Sequence, residues 1–378
     1  MSKSTFLEDN EVNTGRQEEL DIMKAIIIFF LAGIHCFVEC TTNEDLNYGI
    51  PYFFDSVLGG PLAAPMFIFM MGIGLRYSKR NDADHLFKRS IHIFITAIAL
   101  NVARFLIPSL IGYAVSKDYK MYIEHLPYKF FGNDLLNFAF LAMLLMSLMR
   151  YLKLKPWTIW FVALGLNLFA MVFNSLDFNN VYLNVILGHF IGVQVEEEIV
   201  VSDFPLLIWF FMYASGYVYG GYLKRMKDRG KFYKYVSPVS LILVLVIYPV
   251  EYYGHFGMMG GKGANVFYHM KTPEMILCIL NVFALAGVYY LIKDRISDKL
   301  KDVIIRTSKN ITIVYFIQWV LVWWTINLFI YLIRGSKYLT PIPGLILGII
   351  LGFASVILAD LWSESRKKKR ERSNEKKS

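Results

Sequence analysis

Charge is scarce in this chain of 378 residues. Asp, Glu, Lys and Arg together make up 18%, where soluble domains carry about 25%. That shortage argues against an ordinary soluble fold. Cysteine is scarce too, with Cys36, Cys40 and Cys278 the whole supply. They form no CxxC and no Cys/His metal spacing, so neither a zinc site nor a redox pair is expected. Cys36 and Cys40 share one helix face and read as small apolar packing residues. Weak alternating segments of about ten residues, the mark of a transmembrane β-barrel, are missing. No P-loop pattern occurs. The first apolar run follows an acidic leader of 20 residues, so it is expected to span rather than to be cleaved.

What the chain has in abundance is apolar surface. Hydrophobic residues make up 56% and aromatics 16%, and mean hydropathy is +0.44. Long apolar runs recur to the C-terminus, which predicts an all-α, polytopic integral membrane protein. Ten spans are expected, near 21–40, 56–75, 90–113, 134–150, 156–174, 205–223, 236–253, 273–292, 310–333 and 342–362. The piece 180–194 is too short for an ordinary crossing and reads as re-entrant or interfacial. The expected organisation is a leader at 1–20, one transmembrane domain at 21–362 and a basic tail at 363–378. No convincing internal repeat is visible.

Net charge is +9, yet its distribution says more than its sum. With the N-terminus inside, thirty Lys and Arg fall in inner segments and seven in outer ones. That bias predicts both termini cytoplasmic and a non-spanning 180–194. Counting 180–194 as a crossing would put the basic loop 224–234 outside. The tail SRKKKRERSNEKKS then reads as retained positive charge that touches anionic lipid, not as a nucleic-acid site.

One stripe stands out. His35 lies inside the first apolar run, and Lys24 precedes it by eleven positions. Eleven helical residues return to nearly the same face, roughly 20° off, and rise about 16 Å. A cation near one membrane surface is thus aligned with a titratable ring deeper in. An ionisable group buried in a span is a functional candidate by default. A neutral imidazole can take a proton from a hydroxyl or amine, or attack an acyl carbon itself. The plainer alternatives are a histidine hydrogen-bonded to a neighbouring helix and a snorkelling lysine.

Other candidates follow along the chain. Small residues at 59, 60, 63, 64, 72 and 74 allow close helix approach in the second span. Arg76 to Arg89 form a basic cluster after it, able to hold phosphates. Arg104 sits well into the third span, with Asn101 one turn before it; it either snorkels or faces a polar cavity. Asp134 opens the fourth span as an N-cap or as the partner of Arg104 or Lys129. The glycine-rich segment HFGMMGGKGANVFYHMKTPEM carries His255, Lys262, Tyr268, His269 and Lys271. It is either an ordinary exposed loop or a cover that engages a sugar.

Several segments, in order, resemble one family. ELDIMKAIIIFFLAGIH is similar to the first span of transmembrane acyltransferases, where an arginine precedes a histidine by eleven positions. APMFIFMMGIGLRYSKR resembles their P-x-F-x-F-x-x-G second span. KRSIHIFITAIALN followed by DLLNFAFLAML, then FPLLIWFFMYASGYVYGGYL and SKNITIVYFIQW, resemble later spans of the acyltransferase-3 superfamily, in its heparan-alpha-glucosaminide N-acetyltransferase-like branch. The likeness runs from about residue 16 to 333. It implies transfer of an acyl group, acetyl above all, from cytoplasmic acyl-CoA to an acceptor on the far side. It implies that His35 is catalytic and that Lys24 stands where the family has arginine. Arg89, and with it Arg16, would help hold the donor. Two departures are plain: lysine lacks the bidentate fork of arginine, and Gln318 stands where related sequences often have histidine.

The expectation is a membrane-bound O- or N-acyltransferase of the plasma membrane acting on a sugar or cell-envelope glycan. Its expected partners are the bilayer, acyl-CoA and a glycan or lipid-linked sugar, with no metal and no nucleic acid; a homo-oligomer stays open. Arg104, Asp134, Asn101, His269 and Lys271 are the acceptor-side candidates. The competing reading is a transporter or flippase for an envelope precursor, and a weaker one is a catalytically dead scaffold.

Overall fold

The computed structural model describes residues 6–42, 49–173, 176–193, 202–260 and 267–375. These residues are almost wholly helical. The principal helices are α1 (Glu18–Cys40), α2 (Ala64–Tyr77), α3 (Ala83–Asn101), α4 (Leu135–Tyr151), α5 (Pro156–Val172) and α6 (Val181–Leu187). They continue with α7 (Leu206–Arg225), α8 (Arg229–Gly254), α9 (Thr272–Ile292), α10 (Asp298–Lys309), α11 (Ile311–Trp323) and α12 (Pro341–Glu375). Among the described residues, seven helices are long and apolar enough to cross a membrane. The other three expected spans are also helical: α4 and α5 are shorter apolar helices, and α7 runs for 20 residues.

Polar residues set where several helices begin. The carboxylates of Asp82, Asp134 and Asp228 accept backbone N–H groups in the first turns of α3, α4 and α8. Each satisfies donors that have no partner within the helix. The third span therefore starts at Ala83, not near 90. It continues through a π-helical stretch (Val102–Leu106) into Ile107–Ser116. Among its described residues, the expected non-spanning piece contains only α6, seven residues long, or about 10 Å. The tail is not a separate element: α12 carries on through it to Glu375.

The chain forms two compact units, Met1–Arg16 with Gly60–Val288, and Gln17–Gly59 with Tyr289–Ser378. In the first, α7 packs on α2 and α5, and α3 packs on α4. The α2–α7 contact is backbone on backbone. A Cβ at Gly72 would collide with the Tyr213 carbonyl oxygen, and one at Gly216 with that of Phe69. Gly74, by contrast, has open space around it, so only part of the small-residue stripe serves this approach. Around the end of α7 the leader is fixed by backbone bonds, with Glu8 N–H donating to Arg225 O (2.8 Å) and Val12 N–H to Lys224 O (2.7 Å). Glu11 meets Lys224 at 3.2 Å and Glu8 meets Lys227 at 3.1 Å.

In the second unit α1 lies against α10, α11 and α12, and α11 against α12. Gly348 of α12 sits directly on the backbone of Gly33. Thus the helix that carries His35 is held between the last helices of the chain.

The two glycines of α2 give a paired test. Gly72→Ala forces a methyl into the α7 backbone and is expected to cost about 1–3 kcal/mol. Gly74→Ala is expected to be neutral or to stabilise by up to about 1 kcal/mol. Thermal unfolding of the purified protein in detergent measures both; equal midpoints for the two variants would contradict the close contact.

Candidate functional site

The site grows from the α1–α11 contact. Five turns of α1 put Asp21, Lys24, His35 and Glu39 on one face. Three residues of α11 answer at i, i+3 and i+4 spacing: Tyr315, Gln318 and Trp319. Gln318 is wholly buried. Its side-chain amide lies 2.8 Å from His35 Nδ1, and its Oε1 has no hydrogen-bond partner. The Trp319 ring stacks on the imidazole, centroids 3.8 Å apart and planes 24° from parallel. Tyr315 presents its edge at 6.3 Å. His35 itself is half-buried. The imidazole is therefore fixed on one edge and one face.

The rest of α1 is anchored by further polar pairs. Ser308 Oγ donates to Asp21 Oδ1 at 2.6 Å. Lys301 meets Glu18 at 3.5 Å. Asn327 Nδ2, in the π-helical stretch Trp324–Ile330, donates to Glu39 Oε2 at 3.3 Å. Leu339 N–H donates to Cys40 O at 2.7 Å. Lys24 is half-buried between these anchors, and unbroken helix joins it to His35. Sequence reasoning passed over Glu39, although a carboxylate one turn beyond His35 carries the same signal. It recorded Gln318 only as a departure, and Trp319 not at all.

The first unit holds a second polar assembly. Arg104 is buried and donates from Nη2 to Asp134 Oδ2 and to Asn101 Oδ1, both at 2.9 Å. Asp134 uses its other oxygen to accept from the N–H groups of Leu136 and Asn137. It is thus both the N-cap and the partner of Arg104, the two alternatives at once. Asn101 Nδ2 donates to Phe130 O at 2.9 Å. Burial, and after it the Asp134 carboxylate, holds the Asp203 carboxyl well above its ordinary value, with Arg104 opposing.

The remaining candidates are dispersed. His269 is buried, with Nε2 3.1 Å from Ser202 O and 3.2 Å from Ser202 Oγ. That burial sets it apart from an ordinary exposed loop residue. Lys271 is exposed, and its backbone N–H donates to the Glu274 carboxylate. Lys262 lies outside the described residues. Arg16 and Arg89 are exposed in the first unit, whereas Lys24 belongs to the second. The three cysteines are buried free thiols, in keeping with a packing role.

Long apolar helices, one of them presenting a half-buried imidazole gripped by an amide and an indole, define a multi-pass helical membrane protein with a candidate acid–base centre. Residues 17–361 match the family described as an acyltransferase domain. The chain belongs to the transmembrane acyltransferase-3 superfamily. Neither a curated protein nor a solved structure gives a match.

His269 yields a test of its surroundings. Burial pushes its imidazole down from the ordinary value near 6.5 to about 4, with the bond to Ser202 opposing. The fold therefore favours the neutral ring. Its contribution is complete above pH 6.5 and is lost as pH falls towards 4, at most on the order of 3 kcal/mol. His269→Gln keeps a donor for Ser202 O but removes the titration. Its unfolding midpoint is expected to fall less than wild type between pH 7 and pH 4. Parallel curves would mean that His269 is not buried in the neutral form.

Proposed function

We propose that this acyltransferase takes an acyl group, acetyl above all, from cytoplasmic acyl-CoA and passes it to a sugar or cell-envelope glycan on the outer side of the plasma membrane. The observation that carries the reading is His35, presented half-buried on α1 and gripped by Gln318 and Trp319. Lys24 stands three turns away on the same unbroken helix, about 16 Å distant. That distance is of the order of a pantetheine arm. Lys24 would neutralise a donor phosphate, with Arg89 and Arg16 as further cationic candidates. Asn101, Arg104, Asp134, His269 and Lys271 are the acceptor-side candidates.

The chemistry needs one base and one activated acyl donor. His35 Nε2 takes the proton of the acceptor hydroxyl or amine. The acceptor atom bonds to the thioester carbon, and the C–S bond breaks as the intermediate collapses. His35 returns its proton to the leaving thiolate, so charge and protons balance. The alternative route has His35 attack first and form an acyl-imidazole. The thioester is already activated, so no nucleotide is consumed. A flippase would use the same polar interior without the transfer step, but membership in an acyltransferase superfamily favours transfer.

The proposed topology has ten spans with both termini cytoplasmic. The leader's bonds to the end of α7 support it, because they require the leader and loop 224–234 on one membrane face. That requires an even number of crossings between them, met when α6 does not cross. Asp9→Cys and Lys120→Cys report on the two faces, since the native thiols are buried. An impermeant maleimide is expected to label Lys120→Cys in intact cells and Asp9→Cys only after permeabilisation. The same accessibility at both positions would refute the map.

Membranes given radiolabelled acetyl-CoA are expected to transfer label to a glycan or lipid-linked sugar. His35→Gln is expected to lose at least about a hundredfold in rate while the protein still inserts. Lys24→Ala is expected to raise the KM for acyl-CoA, and Lys24→Arg to preserve or improve it. Near-normal transfer by His35→Gln removes that ring from the mechanism. An unchanged donor KM in Lys24→Ala removes the phosphate role. Label hydroxylamine-released from wild type selects the acyl-imidazole route.

A further inference from the structure

We propose that Asn133, His189 and Asp203 form a recognition site for the hydroxyl groups of a neutral sugar, the acceptor of the transfer. This rests on the acyltransferase reading and deepens it by naming what the acceptor side binds. The three residues come from distant stretches tied together at one junction. Asn133 precedes the cap of α4, His189 follows α6, and Asp203 precedes α7. The Gly188 carbonyl accepts from Asn133 Nδ2 at 3.4 Å and from Ser202 Oγ at 2.9 Å. Asn133 and Ser202 also pair in an isolated parallel β-bridge. Leu206 N–H donates to His189 O at 2.9 Å and Leu207 N–H to Phe190 O at 3.0 Å, which binds the start of α7 to the same turn. In the proposed topology this junction lies on the outer side, where the acceptor arrives.

Polar atoms at the junction lack partners. Asn133 is 2% exposed, and its Oδ1 accepts no hydrogen bond. Turning the amide over gives no relief, because Oδ1 would then face the Gly188 carbonyl. Asp203 Oδ1 is buried without a partner as well. Bare buried acceptors cost free energy and are rare in native folds. Two of them beside one turn call for a donor from outside the chain. His189 adds a third acceptor. Its Nδ1 lies 2.8 Å from Val185 O, which can only accept. Nδ1 therefore carries the ring proton, and the neutral imidazole presents a lone pair on Nε2. Asn133 is thus the buried floor of the site, with His189 and Asp203 half-buried around it.

Charge selects the class of ligand. Burial, and after it the Asp134 carboxylate, raises the Asp203 carboxyl, so its neutral form is favoured. Burial also pushes the His189 imidazole down, with the Val185 carbonyl opposing. Asp134 itself is paired with Arg104 at 2.9 Å. The fold thus favours a neutral acid, a neutral ring and a neutral amide, a set that matches neither a phosphate nor a cation. Among the described residues, no three of His, Cys, Asp and Glu converge as metal ligands. A pair of hydroxyls does match. One donates to Asn133 Oδ1 and one to His189 Nε2, while the neutral Asp203 both donates and accepts. Sugars carry such hydroxyls on adjacent carbons.

The test reads binding without the acyl donor. Full-length protein in lipid discs is given methyl glucoside, methyl galactoside or methyl N-acetylglucosaminide, and saturation-transfer NMR reports contact. Wild type is expected to bind at least one of the three saturably. His189→Asn keeps a donor for Val185 O but lacks Nε2. Asp203→Asn keeps a neutral donor and acceptor, whereas Asp203→Ala keeps neither. His189→Asn, Asp203→Ala and Asn133→Ala are each expected to weaken binding roughly three- to tenfold. Asp203→Asn is expected to bind like wild type. No saturable binding of any of the three sugars to wild type would overturn the inference, and so would equal binding by all variants. Where Asn133→Ala or Asp203→Ala does not fold, nitrogen-15 spectra of the wild type decide. Bound sugar is expected to shift the His189 Nε2 resonance, assigned with His189→Asn; an unmoved signal in the saturated protein would refute the site. Sugar binding without acetyl transfer would leave the site standing and end the proposed transfer. Transfer with an unchanged acceptor KM in His189→Asn and Asp203→Ala would do the reverse.

Discussion

Hydrocarbon offers no hydrogen bonds, and that single fact disciplines this chain. A buried polar group without a partner costs several kcal/mol in such surroundings. Several interior groups are accordingly matched: Arg104 with Asp134 and Asn101, Ser308 with Asp21, Asn327 with Glu39. Asn167 spans α5 and α7 by donating to Ile208 O at 3.0 Å. Trp160 reaches Ser215 Oγ at 3.0 Å in the same way. These bonds fix the rotation of each helix about its own axis, which apolar packing alone leaves loose. His35 is held by the same logic, so its orientation is set by the fold.

The two units reach rigidity by different routes. In the first, α2 and α7 touch backbone to backbone, and a single methyl group at Gly72 or Gly216 would part them. Dispersion between closely packed main chains replaces the hydrophobic effect, which is absent between helices in lipid. In the second, α1 is bonded along its length, from Glu18 to Cys40. A helix pinned so often moves as one piece. The Lys24–His35 separation is therefore a fixed ruler and not an adjustable one.

Much of this was legible in the sequence. The stripe of Lys24 and His35 needed only helical periodicity, and α1 is the unbroken helix that periodicity demands. Arg104, Asn101 and Asp134 were visible as polar residues in apolar runs, and they meet. What could not be read was tertiary. Gln318 stands 283 positions from His35, and no local pattern pairs them. Trp319 looked like one aromatic among many. His269 sat among glycines and lysines that suggested exposure, whereas its contact with Ser202 comes from a distant stretch. Helix boundaries moved for a local reason: Asp82 and Asp228 cap helices earlier than hydropathy alone would begin them.

The long-range bonding of the leader has a temporal side. Its partners at the end of α7 lie far downstream, with 213 positions between Glu11 and Lys224. Translation at about 5–20 residues per second leaves the leader waiting roughly 10–40 s before those carbonyls exist. Helix α1 waits longer still, since its neighbours α10 to α12 are the last to be made. The imidazole therefore emerges first from the ribosome and is enclosed last. Through that interval its polar edge must be sheltered by lipid headgroups or by the insertion machinery. Biogenesis, more than final stability, is where a nascent chain of this design is exposed to error.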